Sequence, residues 1–199
     1  FNSWPTGFSK GTYGFSTAGY DGKHVWFGPQ EASHLIRIDT LSGTLVGFNN
    51  WPTQWHRSHG MYIDFETDSI WLSQSGTYQE LVQVSFSTPT VEASATQKRG
   101  LIVQDGNSYT GVVPSNLVQP LSGDTMTTQS FPVSAAGYSC TGSCFFGIVH
   151  VGDYVWLAPF RANSVVRMHK VTGIMTAYNT WPGGVTFGGT DKFRGCTLD

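Results

Sequence analysis

The chain is poor in charge: Asp, Glu, Lys and Arg make up 12% of its 199 residues, and the formal net charge is −2. So weak a charge leaves no electrostatic footprint for nucleic acid or an anionic membrane, and neither is expected as a partner. No apolar run approaches the roughly 18 residues of a membrane span. No stretch carries a sustained helical period, so strands are left as the regular structure. Cysteine is scarce, with Cys140, Cys144 and Cys196 alone. Few cysteines and low charge together point to an extracellular or cell-surface location. The chain also lacks a G-x-S-x-G elbow, an H-E-x-x-H pair and a phosphate loop, so no catalytic residue, metal or cofactor is assigned. There is no N-x-[ST] acceptor for N-linked sugar. No signal peptide is visible and the first residue is Phe, so the start reads as processed, trimmed or incomplete.

What the chain does have is a repeat. Residues 25–52 (VWFGPQEASHLIRIDTLSGTLVGFNNWP) align without a gap to residues 155–182 (VWLAPFRANSVVRMHKVTGIMTAYNTWP) at an offset of 130. Trp26 matches Trp156, Arg37 matches Arg167, Gly43 matches Gly173, and Trp51-Pro52 matches Trp181-Pro182. Two worn copies lie between. One holds Trp71 and Leu81-Val82-Gln83-Val84; the other starts at Asp105-Gly106 and ends with Ser122-Gly123 and Phe131-Pro132. The anchors fall near 26, 71, 110 and 156. A period of about 40–45 residues is that of a four-stranded propeller blade.

Each unit divides into four short strands. In the first, Phe15–Tyr20 leads through an Asp-Gly turn to a second strand from His24, then Leu35–Asp39, a Ser-Gly turn and a last strand ending at Phe48. Leu35, Arg37 and Asp39 alternate with Ile36 and Ile38, the pattern of a half-buried strand. The expected fold is therefore all-β, a β-propeller of four full repeats with partial blades at both ends. The blades fall at about 13–52, 59–97, 100–132 and 145–182, with an extra inner strand at 193–199. The opening Phe1-Asn2-Ser3-Trp4-Pro5 copies Phe48-Asn49-Asn50-Trp51-Pro52, the tail of a unit. Phe193 to Asp199 takes the place of a first strand. Such ends fit either a window on a longer propeller or a subunit whose spare strand pairs with a neighbour, since a lone strand seeks a partner.

The pattern V-W-[FL]-x-P followed by L-I-R-I-D-T-x-S-G-T-L resembles the repeats of streptogramin-lyase-like, NHL and YVTN-type β-propellers. It covers units one and four well, unit two moderately and unit three poorly. The resemblance implies the propeller scaffold. The metal-bound His and acidic residues of that group's lyase map onto no positions here.

Candidate sites follow from the loops and ends. The stretch after Trp51-Pro52 brings Trp55, His56, Arg57 and His59 together, outside the repeated pattern. Indole faces stack on sugar rings while Arg and His bond hydroxyls, so these residues with Arg161 form a candidate glycan site. Phe1, Trp4, Phe193 and Cys196 are the candidate assembly interface. Cys140 and Cys144 pair with each other, or one of them pairs with Cys196. Arg37 and Arg167 are placed on the solvated face of a third strand. Asp64, Glu66 and Asp68 read as a polar turn; the segment lacks the Gly and distal Glu of a calcium loop. The function expected first is a non-enzymatic extracellular scaffold that self-associates or joins neighbouring propeller modules through its terminal strands. A carbohydrate-binding propeller is the second expectation and a streptogramin-lyase-like enzyme the third.

Overall fold

A computed structural model describes residues 4–52, 57–74, 76, 79–87, 104–105, 108–109, 125–183 and 191–196. Within them the chain is all-β, with no helix. Fourteen strands run in order: β1 (Phe15–Tyr20), β2 (His24–Pro29), β3 (Leu35–Asp39), β4 (Leu45–Phe48), β5 (Ser58–Asp64), β6 (Ser69–Gln74), β7 (Glu80–Ser87), β8 (Gln104–Asp105), β9 (Ser108–Tyr109), β10 (Thr125–Pro132), β11 (Phe145–Val151), β12 (Tyr154–Pro159), β13 (Val165–His169) and β14 (Met175–Tyr178). They form three four-stranded antiparallel sheets: β1-β2-β3-β4, β5-β6-β7-β10 and β11-β12-β13-β14. The pair β8-β9 is a separate two-stranded piece.

The strands of the first and last units fall where the alternation places them. Their turns are set by glycines with positive φ, Gly43 at 71° and Gly173 at 68°. Asp39 and His169 cap these turns: Asp39 Oδ1 accepts from the Leu41 and Ser42 amides, and His169 Nδ1 from those of Val171 and Thr172. Those turn amides hold the Asp39 carboxyl down to about 2, and the Lys23 ammonium at 3.5 Å adds to them.

The middle of the chain differs from the sequence reading. Residues 100–132 do not form a third four-stranded unit among the described residues. Instead β10 pairs with β7 in continuous register, from Thr125 opposite Ser87 to Pro132 opposite Glu80, and closes the second sheet. The Phe131-Pro132 echo that suggested a third copy belongs to the second sheet, while Asp105 lies in the separate β8-β9 pair. Phe131-Pro132 ends its outer strand, separated from β7 by the long stretch that contains β8 and β9; Ser122-Gly123 lies outside the described residues. Among the described residues there are three four-stranded sheets, and the anchor near Thr110 lies outside them.

First strands lie side by side in the order β1, β5, β11, and the sheets pack face to face. Each first strand carries the same irregularity: the register shifts between Phe15 and Thr17, between Ser58 and Gly60, and between Phe145 and Gly147. One core lies between the first and second sheets, where Trp26, Leu35 and Phe48 meet Ile70, Leu72, Val82 and Val84. The other lies between the second and third, where Trp71 and Leu81 meet Phe145, Ile148, Val155, Val166 and Met168.

Arg37 is corrected by this packing. It is 5% exposed rather than solvated, because β3 turns it toward the second sheet. Its guanidinium lies over Trp26 and Phe48, 5.7 and 5.6 Å from the ring centres.

Candidate functional site

Three repeat-equivalent tryptophans report how each sheet is covered. Trp26 and Trp71 are 4% and 0% exposed, each roofed by the next sheet. Trp156, at the same position in the third sheet, is only half-buried. It stacks on Tyr178 at 5.5 Å, as Trp26 stacks on Phe48 at 5.8 Å. Arg167 lies over both rings of that pair, each 5.5 Å away. The motif is conserved between the two sheets, but among the described residues no sheet packs over Trp156.

The small residues tell the same story. A Cβ placed on Gly19 of the first sheet would lie 2.9 Å from Ile63 Cδ1 of the second, so the close approach of the sheets requires glycine there. The equivalent position in the third sheet is the half-buried Val149, whose larger side chain has room there. Val149, Trp156, Ala158 and Val165 line a groove of about 380 Å³, bounded on the far side by Phe193 and Cys196.

No strand is formed at 193–196, and 197–199 lie outside the described residues, but the backbone of 195–196 lies against β11 as β11 lies against β5. Gly60 of β5 comes close to β11, with its added Cβ 3.3 Å from the Gly147 carbonyl carbon. Gly147 in turn would meet the Gly195 and Cys196 backbones at 2.9 Å. The entry is also repeated. Ser58 Oγ donates to the Pro29 carbonyl at 2.8 Å, and the Phe193 amide donates to the equivalent Pro159 carbonyl at 3.1 Å. Trp181 stacks on Phe193 at 5.9 Å, just as Trp4 stacks on Phe15 at 6.2 Å.

Of the assembly residues read from the sequence, Phe193 and Cys196 thus border the groove together. Trp4 sits apart, on the first sheet, stacked on Phe8 at 4.5 Å. Phe1 lies outside the described residues. The cysteines divide as one bridge and one thiol: Cys140 is bonded to Cys144 across a turn that Gly142 permits with φ of 79°. Cys196 is free and exposed as a residue, while burial of its sulfur beside β11 pushes the thiol up.

The glycan residues are not gathered into one described site. Trp55 and His56 lie outside the described residues. Arg57 is tied to Glu31 Oε1 at 2.7 Å, and Arg161 to Asp191 at 3.1 Å. His59 points into the contact between second and third sheets, its ring 3.9 Å from that of Phe146. Burial, and then the Arg57 charge, push its imidazole down to about 4.

A second cluster lies at the seam between the second and third sheets. Asp64 ends β5, and Glu66 follows in the turn, so the polar turn read from the sequence is present. His150 on β11 faces them, and Asp64, Glu66 and His150 each bring one ligating atom within 4.8 Å of the other two. These are the described residues able to hold a metal ion. Asp64 is fully buried and bonds the Lys170 ammonium at 3.1 Å; Glu66 Oε2 lies 3.8 Å from it. Burial raises the Asp64 carboxyl, but Lys170, Thr67 and the Glu66 amide outweigh it and hold it below its ordinary value. The sequence reading missed this cluster, because its members are 86 residues apart and only the packing of β5 on β11 joins them.

No protein-family model matches the chain, and no curated protein matches it. Among the described residues, no helix is long and apolar enough to cross a membrane.

Proposed function

We propose that the chain is a β-propeller-type scaffold of the extracellular space, non-enzymatic, which assembles with neighbouring copies through the open face of its third sheet. The observation that carries this reading is the groove beside Trp156. Its positions are those that the first sheet buries under the second, so the chemistry they call for is another sheet with aliphatic residues at alternate positions. The close approach of Gly195 and Cys196 to Gly147 of β11 supports this reading. The side-by-side first strands with a shared bulge support a propeller arrangement, in keeping with the resemblance to streptogramin-lyase-like and NHL repeats. A head-to-tail contact of this kind grows into a filament unless it closes into a ring. The disulfide supports an oxidising compartment. Electron microscopy of the intact chain tests the proposal: rings or regular filaments are expected, and a field of single 21.7 kDa particles at every concentration would overturn it.

A further inference from the structure

We propose that Asp64, Glu66 and His150 form a binding site for a divalent transition metal such as Zn²⁺, for which the Lys170 ammonium is the competing resident cation. Imidazole and carboxylate oxygens are both ligands that such ions accept, and the exposed Glu66 side leaves a further position for water. The acidic pair alone would not suffice, since acidic turns are common on surfaces. The second observation is His150. It is 8% exposed, and its Nε2 is buried with no hydrogen-bond partner among the described residues. An imidazole nitrogen left bare in this way costs free energy unless something else takes its lone pair.

The other ring nitrogen supports the same reading. His150 Nδ1 lies 3.3 Å from Tyr62 Oη. When Nδ1 carries the proton and donates to the phenol, Nε2 keeps its lone pair for a metal, the usual division of labour in a ligating histidine. Lys170 lies in the hairpin turn after β13, and its side chain is 9% exposed. To yield the carboxylates it must leave this largely buried position for the solvent beside Val171, which is 83% exposed. Lysine and metal would then alternate on one pair of carboxylates, so that metal binding fastens the second sheet to the third.

Calorimetric titration of the tag-free full chain with Zn²⁺ tests this, with Co²⁺ absorption reporting the ligand set. One ion per chain is expected, with a rise in Tm. His150→Gln should weaken binding at least about tenfold, and Tyr62→Phe by about the same factor. Lys170→Met should tighten it and gain the larger rise in Tm. Should Lys170→Met fail to fold, the wild-type, His150→Gln and Tyr62→Phe comparison decides alone. Equal binding by wild type and His150→Gln would overturn the proposal, as would no binding by wild type, even if Lys170→Met bound the ion.

Discussion

Replacing the three equivalent tryptophans one at a time should yield sharply unequal losses of stability. A buried indole removes about 150–250 Å² from water, which at about 25 cal/mol per Å² is roughly 4–6 kcal/mol. Measured aromatic-to-alanine losses of about 3–5 kcal/mol agree. Trp71, 0% exposed between two sheets, should therefore cost about 4 kcal/mol as Trp71→Ala. Trp156→Ala should cost only about 1–2 kcal/mol in dilute protein, because the half-buried ring has less area to lose from burial and its ring contacts include Tyr178 and Arg167. Phenylalanine separates the first two sites. Trp26 Nε1 donates to Asp21 Oδ2 at 2.7 Å, whereas Trp71 Nε1 is buried with no partner among the described residues. Asp64, at the position of Asp21, accepts from the Lys170 ammonium instead. Trp26→Phe thus loses a charge-assisted bond worth about 1.5–3 kcal/mol, and Trp71→Phe loses none. Urea unfolding followed by far-UV circular dichroism measures all of these. Equal costs for Trp71→Ala and Trp156→Ala would refute the claim that the third sheet's face is open.

Two further outcomes follow from single groups. His59 is held down to about 4 from 6.5 by burial, so the unfolded chain takes up its proton first as the pH falls. Its contribution is whole above pH 6.5 and is lost as the pH drops toward 4; His59→Phe should flatten that slope in pH-dependent thermal melts. Reducing Cys140–Cys144, four residues apart, should lower stability by about 2 kcal/mol on the loop-entropy argument, read from urea midpoints with and without reductant.

Much of the fold was legible because alternation and turn chemistry are local. The hairpins around Asp21-Gly22, Ser42-Gly43 and Thr172-Gly173 declare themselves in a few residues. The unit boundaries were less legible. Ser122-Gly123 and Phe131-Pro132 look like a unit of their own, since sequence spacing alone does not tell that β10 returns across a long stretch to pair with β7. Burial of repeated residues was invisible for a related reason. Arg37 and Arg167 are the same residue in the same motif, and only the presence of a covering sheet makes one buried and the other half-exposed. The three carboxylate and imidazole ligands at the seam lie on two sheets, so no local pattern announces them.

The most direct test of the account is the mass of the intact chain by light scattering as concentration rises, for the wild type and for Trp156→Glu. The wild type should grow beyond 21.7 kDa while Trp156→Glu, keeping its β-rich dichroism, stays at that mass. A wild type that stays monomeric throughout, or a Trp156→Glu that assembles equally well, would contradict assembly through the third sheet.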